Sequence, residues 1–390
     1  MSSGLPNIPS WLQASLSSSH ANANILLTLR KRERQRQNAR TASRHRSPHA
    51  PRDAYQLAVS ALQSTECVHH YSVAAGYENM RGNRYSDFEP YDRTRVVVGI
   101  DEERSVGTGD ANQGRYLNAS WVRELFGGKW WIATQAPLPH TAHAFLSAIL
   151  QAVTRPPPLL DPSTHSQTCR IRTVVQLTQN FENGRLKAHP YFPAVDGQCW
   201  VVPPEQGVSA PPLKVTLLDT KNIPEVHYIQ STVSIVPISS TNQEQEPVIF
   251  RHMMYTAWPD HGVPEPDDRA SLLAFIRLVD RSNKDISNQP HNNELHPDPP
   301  IMVNCSAGIG RTGSFIALCS LLRVYDLFAS RSPMSPVLPL PASPLGPLPD
   351  DFKDDLVAQE VDSLREQRPG MVQRDEQIVL IYEVLAAAFS

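Results

Sequence analysis

The stretch Ile301-Met302-Val303-Asn304-Cys305-Ser306-Ala307-Gly308-Ile309-Gly310-Arg311-Thr312-Gly313-Ser314-Phe315-Ile316-Ala317-Leu318 decides the fold. Ile301 to Val303 read as a short buried strand. Phe315 to Leu318 belong to a helix expected from Thr312 through Leu327, so Cys305 to Arg311 must be the turn between the two. Gly308 and Gly310 let the backbone bend until successive N–H groups point inward, and the helix N-terminus behind them adds the positive end of its dipole. Such a turn is a cradle for a dianion, with Ser306, Ala307, Gly308, Ile309 and Gly310 as its binding residues. Arg311 offers a planar fork to two phosphoryl oxygens, a geometry that Lys cannot reproduce. A thiol beside Arg at a helix N-terminus has its pKa drawn below about 8.5, which leaves a thiolate able to attack phosphorus. The Thr312 hydroxyl follows, placed to bond that sulfur. The competing phosphate loop that ends in Gly-Lys-Ser/Thr is absent.

The rest of the chain supports a fold around this loop. At 390 residues and 40% apolar content it can bury a sizeable core. Strand-like, β-branched runs occur at Arg95 to Ile100, Thr173 to Leu177, Lys214 to Leu217, Thr232 to Val236 and Val248 to Phe250. Helical periodicity is clearest at Leu272, Leu273, Phe275, Ile276 and Val279 after the start signal Pro266-Asp267-Asp268, and a further helix is expected from Asp375 to Phe389. The expected class is α/β (α+β): a single domain over residues 51–390, with a central twisted mixed sheet flanked by helices. The 35 prolines cluster, and the segments near 156–166, 282–300 and 332–349 read as exposed insertions. Residues 1–50 read as a poorly ordered basic leader carrying a short helix. Its run Arg30 to Arg46 holds eight Lys or Arg against Glu33 alone. That run suits a solvated helix face or flexible arm, with nuclear import or polyanion binding as the sharper alternative. Five cysteines, an odd number without paired spacing, suggest neither a disulfide framework nor a zinc module. No apolar run approaches the roughly 20 residues of a membrane span. A soluble, cytoplasmic monomer is expected, with the nucleus left open by the basic run.

Residues Cys305 to Gly313 resemble the signature loop of the phosphotyrosine-specific, cysteine-dependent protein tyrosine phosphatases of non-receptor type. The resemblance runs from about Tyr77 onward and includes Asn83-Arg84-Tyr85, Tyr116-Leu117-Asn118-Ala119-Ser120, Thr134-Gln135-Ala136-Pro137, Trp258-Pro259-Asp260 and Gly370-Met371-Val372-Gln373, in the family's order. It implies that Cys305 is the nucleophile, Arg311 the phosphate clamp and Asp260, on a mobile loop, the general acid and then base. Gln373 and Gln377 would hold the hydrolytic water, and Tyr85 would line a deep cleft that a phosphoserine is too short to traverse. Asp87 would bind substrate backbone, Glu182 would orient Arg311, and Lys187 would stand at the mouth. Alone, each of these has a bland reading: Pro-Asp-x-Gly as a turn, two glutamines as a solvated helix face, Glu182 and Lys187 as turn charges. The resemblance implies no metal or cofactor, phosphotyrosine-containing proteins as partners, and no nucleic acid.

Two positions depart from the family pattern. Asn304 stands where the family has His before the nucleophile, and Ala136 where it usually has Gly. Asn304 motivates the alternative of a phosphotyrosine-binding pseudophosphatase. A dual-specificity or lipid phosphatase is the alternative within enzymes, opposed by the deep-cleft segment at Tyr85. Ser-Pro pairs at Ser47, Ser332, Ser335 and Ser343 could accept phosphate, although simple loop chemistry is the better reading of them.

Overall fold

The computed structural model describes residues 7–17, 19–45, 64–99, 114–151, 156, 169–238, 246–260, 262–287, 295–328 and 339–389. Its strands are β1 Arg95–Val98, β2 Arg115–Arg123, β3 Trp130–Thr134, β4 Thr173–Gln176, β5 Phe181–Glu182, β6 Arg185–Leu186, β7 Cys199–Val202, β8 Leu213–Ile223, β9 Tyr228–Pro237, β10 Val248–Tyr255 and β11 Ile301–Asn304. Nine of them form one sheet in the order β1-β2-β3-β11-β4-β10-β9-β8-β7. The central strands β3, β11, β4 and β10 run parallel, and the outer ones pair antiparallel. The sheet is therefore mixed, as expected. Because β11 has parallel neighbours on both sides, the turn that leaves it emerges with the carboxyl ends of β3 and β4, where crevices in such sheets bind ligands.

Side chains alternate across the sheet and build a core on each face. Trp131, Ala133, Ile301 and Val303 point into one cluster. Ile132 and Met302 point into the other. The first face is covered by the helices α6 Arg269–Lys284, α7 Gly310–Val324, α8 Leu356–Gln367 and α9 Asp375–Ala387. The second is covered by α5 Ala142–Leu150. The apolar face foreseen for α6, Leu272, Leu273, Phe275, Ile276 and Val279, is buried in full. Sequence reading passed over β2 and β3, since buried Asn118, Ser120 and Thr134 break the apolar alternation that marks a strand. It also passed over α8, although Val357, Val361 and Leu364 recur at helical spacing.

The N-terminal residues differ from the expected poorly ordered leader. They form α1 Ser10–Ser17 and α2 Ser19–His45, and Leu12, Ile25 and Leu29 join the first core. The basic run is not a solvated face either, because Arg36 is 0% exposed and bonds Asp362 at 2.6 Å and Glu366 at 2.7 Å. Charged residues can be buried when each finds an opposite charge, and here the partners come from the far end of the chain. Two short helices follow, α3 Thr65–His70 and α4 Ala74–Glu78.

The expected boundary at residue 51 lies outside the described residues, as does all of 156–166 except Pro156. The 282–300 segment is anchored at its base, where buried Asn283 donates from Nδ2 to Asp298 at 2.7 Å and to the Pro299 carbonyl at 2.8 Å, while Asp285, Ile286 and Ser287 are exposed as expected. The described part of 332–349 is also tied down, since Arg32 donates to the carbonyls of Leu345, Gly346 and Pro347. Within it the Ser343 hydroxyl bonds Glu366 at 2.9 Å, while Ser47, Ser332 and Ser335 lie outside the described residues. Among the described residues, no helix is long and apolar enough to cross a membrane.

The helix behind the signature loop is anchored by Phe315, fully buried with its ring 6.0 Å from Trp131 and 5.9 Å from Phe275. Phe315→Ala should lower unfolding free energy by about 3–5 kcal/mol. Urea unfolding checks this, and a loss well under 1 kcal/mol would mean that the site collapses around the missing ring.

Candidate active site

The turn expected between β11 and α7 is there, and close packing dictates its residues. Gly308 has φ +71°, and a Cβ there would lie 2.0 Å from the Thr134 carbonyl oxygen at the end of β3. The loop thus leans directly on backbone, and the Ala136 N–H donates to the Ser306 carbonyl at 3.0 Å. A Cβ at Gly310 would meet the Gln377 amide at 2.9 Å, and one at Gly313 the Val372 nitrogen at 2.4 Å. The Ile309 carbonyl accepts from the N–H of Gly313 at 2.8 Å and of Val372 at 3.2 Å, which ties the segment 370–377 to the turn. Val372 itself sits at φ 53°, a strained conformation for a β-branched residue. Arg365 holds it by donating to the carbonyls of Met371 at 2.9 Å and Val372 at 2.7 Å.

Arg311, 6% exposed, lies in the first turn of α7. Its Nη1 donates to Glu182 Oε1 at 2.6 Å and to the carbonyls of Leu177 and Trp258, each at 3.0 Å. Its Nη2 donates to Glu182 Oε2 at 2.9 Å and Asp260 Oδ1 at 3.3 Å. Glu182 is delivered by a two-residue hairpin, in which Asn183 at φ 51° and Gly184 at φ 71° join β5 to β6. Asn-Gly suits such a turn because both positions need positive φ. Burial pulls the Arg311 guanidinium down, but Glu182, Cys305 and Asp260 outweigh it and hold it above its ordinary value.

Cys305 is 5% exposed. Burial pushes its thiol up. The charge of Arg311, the hydroxyl and N–H of Thr312 and the N–H of Ile309 more than offset this, so the thiol lies below its ordinary value. The buried Thr312 hydroxyl has no oxygen or nitrogen partner and is left to the sulfur. Asn304 is fully buried, its Nδ2 donates to the Cys305 carbonyl at 3.1 Å, and its Oδ1 has no hydrogen-bond partner. At Cys319 burial, with the nearby charge of Glu124 adding to it, drives the thiol well above its ordinary value.

Cys305, Ser306, Ala307, Ile309, Gly310, Arg311, Tyr85, Lys187, Asp260, Gln373 and Gln377 line one cleft of about 340 Å³, with Phe88, Arg185, Leu186 and Arg374 as lining residues not foreseen. The Tyr85 hydroxyl shares a 2.9 Å bond with Ser306 Oγ, which donates to the Lys187 carbonyl at 2.7 Å. The Lys187 ammonium pairs with the Asp260 carboxylate. The Trp258 indole N–H donates to the Gly262 carbonyl at 3.2 Å and closes the Asp260 turn. Gly308, Thr312, Glu182 and Asp87 are not lining residues of the cleft, and the Asp87 side chain is 75% exposed. A larger trough of about 740 Å³ between β8, β9, β10 and α6 is lined by no cysteine or histidine.

Sequence reasoning missed Arg368. It is fully buried and donates to the carbonyls of Gly308 at 2.8 Å and Ala307 at 3.1 Å, and to Asn118 Oδ1 at 2.8 Å. With those two carbonyls drawn toward Arg368, the N–H groups of Gly308 and Ile309, which oppose them across planar trans peptides, point the other way. Gly308→Ala should cost at least about a hundredfold in turnover, the scale of an ångström-sized misplacement. Steady-state rates on a phosphotyrosine peptide check this, and a variant within a fewfold of the parent would mean that the loop does not depend on its contact with Thr134.

The protein-tyrosine phosphatase family model matches residues 79–157 and 164–330, so the segment with Gln373 and Gln377 lies beyond it. Human tyrosine-protein phosphatase non-receptor type 14 is 28% identical over 318 residues, 81% of this chain and 21% of that protein. Human receptor-type tyrosine-protein phosphatase H is 31% identical over 314 residues, 80% of this chain and 21% of that protein. Human non-receptor type 18 is 27% identical over 313 residues, 80% of this chain and 52% of that protein. The chain thus spans between about a fifth and about half of the length of these relatives. A solved structure of the type 18 enzyme in complex with HER2 phosphopeptides superposes with a TM-score of 0.55 at 25% identity, covering 82% of this chain and 92% of that one. With the mixed sheet, the loop after its central strand and the family match in agreement, the chain belongs to the protein-tyrosine phosphatase family.

Proposed function

We propose that the protein hydrolyses phosphotyrosine in proteins through a cysteinyl-phosphate intermediate. The observation that carries this reading is the convergence of Cys305, Arg311 and Asp260 on one cleft, with Asp260 Oδ1 3.3 Å from the guanidinium and the Cys305 thiol drawn below its ordinary value. In the first step the Cys305 thiolate attacks phosphorus, the bond to the tyrosine oxygen breaks, and protonated Asp260 gives its proton to the departing phenol. In the second, water held by Gln373 and Gln377 attacks phosphorus while Asp260 takes its proton. The phosphorus–sulfur bond breaks and inorganic phosphate leaves. Arg311 and the N–H groups of the turn stabilise the charge on the equatorial oxygens in both steps, the largest single contribution expected here. Thr312 stabilises the leaving thiolate, Glu182 orients Arg311, and Tyr85, Asp87 and Lys187 receive the substrate.

The relative seen with HER2 phosphopeptides supports phosphotyrosine-bearing proteins as substrates. Likeness to non-receptor enzymes supports a cytoplasmic location. In steady-state assays, Asp260→Asn should reduce kcat on phosphotyrosine peptides by about 10²–10⁴-fold. The limb of the pH profile set by the general acid should vanish with it, and Cys305→Ser should abolish turnover. Equal rates for the parent chain and Cys305→Ser would refute the mechanism.

A second reading, binding without turnover, is favoured by one observation: the unpartnered buried oxygen of Asn304 beside the nucleophile. The two readings part on the thiol. A depressed thiol pKa keeps the anion populated at lower pH, so the rate of Cys305 alkylation should rise with a midpoint below the free-thiol value of about 8.5. A midpoint at or above that value, together with a sharp gain in turnover on Asn304→His, would favour the binding-only reading.

A further inference from the structure

Arg32, Arg36, Arg40 and Arg44 recur at every fourth residue of α2 and so share one face of the helix. The first three lock α2 onto the domain. Arg32 Nε lies 3.0 Å from each oxygen of Asp362, Arg36 bonds Asp362 and Glu366, and Arg40 bonds Glu33 at 3.1 Å and the Tyr91 hydroxyl at 3.3 Å. Arg44 does something different, because it reaches the segment that carries Tyr85 and Asp87. Its Nη2 donates to the Ser86 carbonyl at 3.3 Å and to the Glu89 carboxylate, and its Nη1 stands 4.0 Å from Asp87 Oδ1. Glu89 is 1% exposed and fits only because Gly76 lacks a side chain, a Cβ there lying 2.4 Å from Glu89 Cβ. Arg44 therefore grips this segment on both sides of Asp87, from a helix that three other arginines hold in place.

We propose that Arg44 is a positioning residue for peptide recognition: by fixing the backbone at Ser86 and steering Asp87, it presets the rim that receives the substrate's main chain. This rests on the reading of Tyr85 and Asp87 as substrate-binding residues. A rim already ordered binds a peptide without the entropy cost of ordering. The effect belongs to peptides alone, because a small aryl phosphate fills the cleft without reaching Asp87.

The test compares a phosphotyrosine peptide, extended on both sides of the phosphotyrosine, with p-nitrophenyl phosphate on the full chain. In Arg44→Ala the peptide KM should rise about three- to tenfold with kcat held within about twofold, while both constants for the aryl phosphate stay within about twofold. Because this change leaves Glu89 buried without its cation, the double variant Arg44→Ala/Glu89→Gln is measured alongside. It should recover thermal stability but not the peptide KM. Arg44→Lys, which keeps the charge without the fork, should fall between, and Arg34→Ala, on the exposed face of α2, should match the parent. An equal change for both substrates, or a parental peptide KM in the double variant, would overturn the proposal and leave Arg44 a purely structural role. Failure of the phosphatase reading shows separately, as no turnover of either compound by the parent chain. The peptide dissociation constant measured on Cys305→Ser then replaces KM in the same comparison.

Discussion

A buried guanidinium has to be satisfied, and the Arg311 side chain organises the site through that demand. An unpaired ion in a protein interior costs several kcal/mol. Here the cost is offset by a bidentate carboxylate from the β5–β6 hairpin, the carbonyl that follows β4 and the carbonyl of Trp258 at the base of the Asp260 turn. Two segments distant in sequence, residues 177–182 and the Asp260 turn, are thereby drawn to the first turn of α7. The same charge brings the Cys305 thiol down against the pull of burial. Without Glu182 the guanidinium would keep only the carbonyls of Leu177 and Trp258 and the longer contact to Asp260.

The placement of a few neighbouring residues was legible in the sequence. Cys305, the glycines at 308 and 310 and Arg311 act through local backbone geometry, and the apolar runs on either side declare strand and helix. The Asn183-Gly184 pair carried a hairpin signal just as local, which sequence reading passed over. What stayed hidden was non-local. Arg368 looks like any charge after a helix, and nothing near it announces that its partners are the carbonyls of Gly308 and Ala307. Strand β2 was obscured for a related reason: its buried Asn118 bonds Arg368 and the Phe88 carbonyl, so polarity there marks a connection and not a surface.

The basic run of α2 shows the same limit in a stronger form. Four arginines spaced by a helical turn are indistinguishable in sequence from a solvated stripe until their acidic partners are known. Asp362 and Glu366 lie more than 300 residues later and themselves sit one helical turn apart on α8. The C-terminal half of α8 and the residue that follows it are where these connections meet. Asp362 and Glu366 face the N-terminal helix, Arg365 holds the strained Val372, and Arg368 holds the signature turn. One short helix thus relates the front of the catalytic cleft to the beginning of the chain.

The carboxylate of Asp260, clasped by Lys187 and Arg311, has a consequence for what the cleft can admit. Two cations there already share an internal anion. A phosphoryl group entering the cleft would therefore compete with Asp260 for the two cations. A singly charged group offers the two cations little more than Asp260 does. A phosphate monoester dianion offers roughly twice the charge and a tetrahedral set of acceptors matched to the turn's N–H groups. On the proposed reading, the pair of cations with its resident carboxylate would favour dianions over singly charged groups.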